Sequence, residues 1–276
     1  MSESERPWVH VHLLPALIPP GLLTGGVAVV IDVLRATTVM VHALAAGCEA
    51  VVPCLEIDEA RQAAAALPAG SALLAGERQG LPIEGFDLGN SPRAFTRAVC
   101  RGKTLVMTTT NGTRAILACL DAERVVLGAF PNFAATMQIL HDDERPVHIV
   151  CAGTDGRISY EDSLLAGAFA RHLRDLGGTL VNDEAEMVAG LWARVEEAIW
   201  TRSGDLDQTK NPLVRYLIRG RGGRRVSELG LLDDLDASAT LNSNAHHLTA
   251  ELRRDPLRIV ASRSATILDP RQTEGR

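Results

Sequence analysis

The stretch Val27–Thr38 reads VAVVIDVLRATT, and it opens with five apolar residues, Val27–Ile31. Such a run reads as a strand buried on both faces. Asp32 ends it, Arg35 follows three residues later, and Thr37 and Thr38 open the helical pattern VMVHALAAG. An acid, a base and two hydroxyls therefore fall at the carboxyl end of a buried strand and the first turn of a helix. In open α/β sheets that is the crevice where ligands bind. Backbone N–H groups at a helix start favour an anion, and a carboxylate beside them favours a metal. The combination predicts a metal-assisted site for a phosphate or sulfonate. Taken alone, Asp32 would read equally well as a helix cap, but the pattern comes back downstream.

The chain has 276 residues, 46% of them hydrophobic, enough to bury a large core. Aromatics are only 4%, so packed α/β layers are expected rather than an aromatic-rich sandwich. A net charge of −6 offers no basic footprint for nucleic acid. The start MSESERPWVH does not read as a secretory signal, and no apolar run is long enough to cross a bilayer. Cys48, Cys54, Cys100, Cys119 and Cys151 form neither CxxC nor a zinc-type cluster. Reduced, buried thiols in a cytoplasmic protein are the expectation.

In order, the patterns predict strands at 8–14, 27–31, 49–53, 72–75, 105–107, 125–127 and 147–150. Helices are expected at 37–46, 57–67, 133–140, 163–177 and 184–200, with another suggested at 211–220. VVIDVLRATT–helix–EAVVPC–helix–ALLAGERQG parallels LVMTTTNGTR–helix–AERVVLGA–helix–HIVCAGTDG at an offset of about 75 residues. The expected fold is a three-layer α/β/α with an internal duplication of two similar α/β halves. Residues 1–100 form the first half. Residues 101–265 form the second half and a C-terminal extension within one catalytic domain, and 266–276 form an unstructured tail. Packing about a pseudo-dyad would bring four strand-end loops to one cleft.

Those loops carry the chemistry. GERQG places Glu77 and Arg78 just past a strand, and GERQGLPIEGFDLGNSP continues as a long polar loop to Asn90, Ser91 and Pro92. TTTNGT (Thr108–Thr113) supplies hydroxyls and backbone N–H groups suited to an oxyanion, without the GxxxxGK[ST] of a P-loop. In CAGTDGRISYED, Cys151 and Arg157 have the C-x5-R spacing of cysteine phosphatases, while Ser159 and Asp162 suit a helix cap with Glu161 and Asp162 near the cleft. RGRGGRR (Arg219–Arg225) concentrates positive charge after a helix; of its two readings, a cover for an anionic substrate and a solvated loop, the second is favoured.

Taken together, VVIDVLRATT, GERQGLPIEGFDLGNSP, TTTNGT and CAGTDGRISYEDSLLAG resemble the 2-phosphosulfolactate phosphatase family over roughly Val27 to Leu235. The segments RGG and LGLLDDL are similar to its C-terminal part, although DDLDASATLN lacks the Cys-Ala and the Asp found there. The resemblance implies a Mg²⁺-dependent phosphatase of α/β/α fold that releases phosphate from 2-phospho-3-sulfolactate, in coenzyme M or sulfolactate metabolism. The positions that match are Asp32, Arg35, Thr37, Thr38, Glu77, Asn90, Ser91, Thr109, Asn111, Gly112, Thr113, Glu161 and Asp162.

The roles assigned to them are our own. Asp32, Glu77 and Asp162 are expected to hold Mg²⁺ or its waters. Asp32, Glu161 and Asp162 are the catalytic acids, with Glu161 as general acid/base. Arg35, Thr37, Thr38, Arg78, Asn90, Ser91, Thr109, Asn111, Gly112 and Thr113 are expected around the substrate. Either water or Asp32 is the nucleophile. Rival readings are a phosphatase of another small phospho-acid, including a metal-free mechanism on Cys151 and Arg157, and a non-catalytic anion-binding paralogue. The expected partner is a small anionic phosphorylated substrate, with no nucleic acid or membrane and a homodimer left open.

Overall fold

The computed structural model describes residues 7–201, 211–243, 245 and 247–263. From the amino end come β1 (Trp8–His12), β2 (Val27–Ile31), α1 (Ala36–Ala45), β3 (Ala50–Cys54), α2 (Ile57–Ala65), β4 (Ala72–Arg78) and β5 (Leu81–Pro82). The middle holds α3 (Arg97–Cys100), β6 (Thr104–Thr108), α4 (Gly112–Leu117), β7 (Arg124–Gly128), α5 (Phe133–His141), β8 (Val147–Cys151) and α6 (Tyr160–Asp175). Next come β9 (Thr179–Leu180), α7 (Asp183–Thr201), α8 (Val214–Leu217), α9 (Arg221–Glu228) and α10 (Leu232–Ala239). The hairpin β10 (Leu248–Arg254) and β11 (Leu257–Arg263) follows. The tail expected from residue 266 lies outside the described residues.

Local chemistry accounts for the boundaries. α1 stops before Gly47, whose φ of +106° is the left-handed conformation that closes a helix. In α6 the Ser159 hydroxyl accepts the Asp162 amide at 3.5 Å, the cap expected from the sequence. The expected long loop after β4 is instead a hairpin. Glu77 and Arg78 extend the strand, Gln79 (φ 55°) and Gly80 (φ 81°) form the tight turn, and Leu81–Pro82 pairs back. A second correction concerns RGRGGRR, whose later residues are helical in α9 rather than a solvated loop.

The strands form one mixed sheet in the order β5-β4-β6-β3-β11-β10-β7-β2-β8-β1-β9. β4, β6 and β3 are parallel, as are β7, β2, β8, β1 and β9. The β10–β11 hairpin joins the blocks, antiparallel to β7 on one side (Ala250↔Leu127) and to β3 on the other (Ile259↔Val51). The two parallel blocks therefore run in opposite directions. From β4 to β8 the order reads the same from either end when β2 is matched with β6, β3 with β7, β4 with β8 and β10 with β11.

β2 shows why its run is apolar throughout. Val27, Val29 and Ile31 enter one core with α6 and α7, while Ala28 and Val30 enter the other with α1 and α4. α2 covers the β3–β6 end on the α6 side, giving three layers, α/β/α. The segments that follow β2 and β6 nonetheless meet, although the two strands run oppositely. The closeness is read at Gly112, where an added Cβ would lie 2.4 Å from the Ala36 Cβ. Among the described residues, no helix is long and apolar enough to cross a membrane.

Candidate active site

Where those strand ends meet, a cavity of about 630 Å³ opens, of a size suited to a small molecule. The β2 end contributes Asp32, Leu34 and Arg35, and the β4–β5 turn contributes Glu77, Gln79 and Gly80. Thr109, Thr110 and Asn111 follow β6, Thr154 and Asp155 follow β8, and α9 forms the remaining wall. All four expected strand-end loops reach the cavity.

Asp32 and Glu77 are its buried carboxylates. Asp32 Oδ1 accepts the Ala36 amide at 3.2 Å; among the described residues Oδ2 accepts none. Burial above all, with the charges of Glu77 and Glu161, pushes the Asp32 carboxyl up to about 7 against the Ala36 amide and Arg35. Glu77 is anchored through both oxygens, accepting the amides of Thr110 (2.9 Å) and Gly80 (2.7 Å). Magnesium takes oxygen ligands and keeps waters, so one or two carboxylates suffice. Among the described residues no three ligating side chains come together. The donors present thus fit a cation held by Asp32 and Glu77 with water and substrate oxygens, not a three-acid cage.

Positive charge stands around these acids. Arg35 Nη1 donates to Asp234 Oδ2 at 2.7 Å, and the Ser91 hydroxyl donates to Asp234 Oδ1 at 2.6 Å. Ser91 thus fixes the partner of Arg35 and does not line the cavity. Arg221, Arg224 and Arg225 line it from α9. Asn111 lines it with Oδ1 accepting the Asp155 amide at 3.1 Å. Two buried polar atoms there, Asn90 Oδ1 and Thr110 Oγ1, have no partner among the described residues. Buried polar atoms are ordinarily satisfied, so a bound group or water is the natural complement.

Other expected site residues stand behind the cavity. Thr37 Oγ1 donates to the carbonyls of Asp32 or Gly128 (each 2.9 Å) and Thr38 Oγ1 to that of Val33 (2.9 Å), so both hydroxyls brace the loop. Arg78 turns away to Leu55 O and Thr108 Oγ1. Thr109 and Thr113 cap each other through amide and hydroxyl, which leaves only Thr109 on the lining. Gly112 serves close packing, since a Cβ there would lie 2.7 Å from Asp32 Oδ2.

The α6 acids are also displaced from the expected roles. Asp162 accepts the amides of Val33 (2.8 Å) and Gly153 (3.0 Å), tying the β2 and β8 loops together. Burial, then the charges of Asp32 and Glu161, hold its carboxyl well above the usual range. Glu161 is 1% exposed and lies under the glycines that start α9. Burial raises its carboxyl against opposing contributions that include the Ser159 hydroxyl and the Arg224 charge.

The cysteine mechanism loses its footing. Cys151 is fully buried, and burial with the nearby Asp162 pushes its thiol well up, away from the thiolate. Arg157 is exposed and off the cavity.

Asp234, Arg224, Arg225 and Thr110 complete the site beyond the residues expected from the motifs. The charge run RGRGGRR, the third hydroxyl of TTT and the segment LGLLDDL, which carries Asp234, were the available signals.

Fold and cavity together define an α/β protein with a site for a small anionic molecule at its strand ends. A family model described as 2-phosphosulpholactate phosphatase matches residues 12–246, and the chain belongs to that family. It is similar to a protein of Parasynechococcus marenigrum (strain WH8102) named probable 2-phosphosulfolactate phosphatase, 48% identical over 168 residues, 60% of this chain and 69% of the relative. A Caldanaerobacter subterraneus subsp. tengcongensis protein of the same name is 36% identical over 214 residues, 78% and 83% of the two chains. One from Clostridium perfringens (strain SM101 / Type A) is 34% identical over 222 residues, 80% and 84%.

Proposed function

We propose that this enzyme hydrolyses 2-phospho-3-sulfolactate to 3-sulfolactate and phosphate with Mg²⁺, as a cytoplasmic enzyme of sulfolactate or coenzyme M metabolism. The observation that carries the reading is a single cavity in which two buried carboxylates, Asp32 and Glu77, face arginines from β2 and α9. The names of the relatives support the substrate. The five buried free cysteines accord with a reducing compartment.

Asp32 and Glu77 would hold the metal. Their close negative charges, buried and uncompensated by each other, are relieved by a divalent cation. Bound there, Mg²⁺ supplies charge neutralisation for the phosphoryl oxygens and lowers the pKa of water. Arg35, fixed by Asp234, binds phosphate oxygens through its remaining donors. Thr110 orients the ester through its unpartnered hydroxyl, while Asn90 Oδ1, an acceptor only, is left for a water or a cation beside it. Asn111, braced by Asp155, shapes the wall beside them. Phosphoryl transfer depends mainly on such positioning and charge stabilisation.

The test is phosphate release from racemic 2-phospho-3-sulfolactate with Mg²⁺ and with EDTA, beside 2-phospholactate. Release that requires both metal and sulfonate is expected. Equal release from both compounds would make it a phosphatase of another or broader phospho-acid class. Ligand binding without release from either would make it an anion-binding paralogue.

A further inference from the structure

Opposite Asp32 and Glu77, α9 presents Arg221, Arg224, Arg225 and Glu228 to the cavity. Their spacing of i, i+3, i+4 and i+7 places them on one helix face. Two of the three arginines already have partners. Arg221 Nη2 is paired with Asp155 at 2.9 Å, and Arg224 donates to the Arg219 carbonyl. Arg225, among the described residues, makes no side-chain hydrogen bond or ion pair, yet it lines the cavity. Arg35 on the other wall is committed to Asp234.

The helix is seated by contacts that exclude side chains. A Cβ on Gly220 would lie 2.2 Å from Glu161 Oε2, one on Gly222 would lie 1.9 Å from Glu161 Oε1, and one on Gly223 would lie 1.9 Å from the Leu217 carbonyl. A glycine-rich segment with low helix propensity is thus fitted closely to its support, and its arginines are turned toward the ligand space. Unused guanidinium donors facing a cavity are a fork for an oxyanion.

We propose that Arg225, assisted by Arg224, forms a second anion subsite. It holds the acidic group of the substrate distal to the phosphate, a sulfonate or a carboxylate. The subsite makes the enzyme select phospho-acids over simple phosphomonoesters. The assignment rests on the phosphatase reading above and adds to it a specificity residue.

The experiment compares wild type, R225Q and R225K on four esters. These are 2-phospho-3-sulfolactate, 2-phospholactate (no sulfonate), 2-phosphooxyethanesulfonate (no carboxylate) and ethyl phosphate (neither). R225Q is expected to lower kcat/KM on the full compound about tenfold more than on ethyl phosphate, chiefly through KM. The truncated ester that shows the same excess loss names the group held. R225K, which keeps the charge without the planar fork, falls between. A uniform loss on all four esters, or no loss on any, overturns the subsite.

Calorimetric binding of 3-sulfolactate gives a readout independent of turnover, with R225Q expected to bind about tenfold more weakly. Equal affinity overturns the subsite. Absence of phosphate release from every ester by wild type overturns the phosphatase reading, while the binding result still decides the subsite.

Discussion

Arg35 and Asp234 stand 199 positions apart in the chain and 2.7 Å apart in the fold, as a buried ion pair. The pair joins the β2 loop to α10, and Ser91 adds a third segment through the other carboxylate oxygen. Removing one partner leaves the other charged and unsatisfied in the interior, which typically costs about 3 kcal/mol or more. D234A is expected to lose about that much stability in urea unfolding. D234N keeps an acceptor for Arg35 and should remain folded, with KM raised about tenfold because the arginine is no longer held by charge. An unchanged KM in folded D234N would separate Asp234 from substrate binding.

His12 and His148 make a second buried pair, on neighbouring strands, with Nε2 and Nδ1 3.3 Å apart. That hydrogen bond requires an unprotonated nitrogen on one ring as its acceptor. His10 stacks on His148 with ring centroids 4.8 Å apart, while Glu184 contributes an opposing charge at His12. Burial above all, then the neighbouring rings, holds both His12 and His148 down at about 4. The unfolded chain takes up protons at its ordinary histidine pKa, so it binds more protons than the native state between about 6.5 and 4. The histidine contribution is therefore complete above that window and is lost as pH drops through it, by at most about 3 kcal/mol per histidine. The raised carboxyls of Asp32, Glu161 and Asp162 act in the opposite sense. The histidine contribution is therefore read as the urea-midpoint difference between wild type and H148Q, which should change in the destabilising direction for wild type from pH 8 to pH 4.

Gly167 and Gly190 offer a packing test with opposite signs. At Gly167, where α6 crosses α7, a Cβ would lie 2.1 Å from the Val188 carbonyl and 3.0 Å from the Trp192 Cβ. G167A should lose about 2 kcal/mol through overpacking. At Gly190 on α7 nothing lies within 4 Å of the added Cβ. G190A should gain about 1 kcal/mol from helix propensity alone. Thermal or urea unfolding of the two variants reads both effects.

Cys151 separates the mechanisms. Its buried, high-pKa thiol makes it a packing residue at the end of β8. C151S should keep phosphate release within about threefold of wild type. A loss of several orders of magnitude in a folded C151S protein would restore the cysteine reading.

Much of this arrangement was legible from residue order. Val27–Ile31 announced a strand buried on both faces, and Asp32, Arg35, Glu77, Thr109 and Asn111 reach one cavity as expected. Adjacent residues with different fates were less legible. In the acidic run of α10, Asp233 is exposed and pairs with Arg93, while Asp234 is buried against Arg35. Both are the same residue type, and only the packing of a distant segment distinguishes them. Glu161 and Asp162 read as facing the cleft, but the Val33 and Gly153 amides hold Asp162, and Glu161 is packed beneath Gly220 and Gly222. α9 itself read as a loop because its glycines disfavour a helix; Glu161 and Leu217 supply the support from elsewhere in the chain. The β10–β11 hairpin, absent from the expected strands, was legible, since Leu248, Ala250 and Leu252 alternate with Thr249, Glu251 and Arg253 as a strand does.

That hairpin sets an order of events during synthesis. β3, β4 and β6 leave the ribosome with one long edge open, and β7, β2 and β8 leave with another, because the strands that cover both edges are made some 120 residues after β7. Until Leu248–Arg263 emerges, a nascent chain carries two parallel blocks with unpaired backbone, each a template for pairing with a neighbouring chain. The two blocks close against the same two strands, so the last of them to be translated completes the whole sheet. The cavity takes its walls from both blocks, so it depends on the same closure.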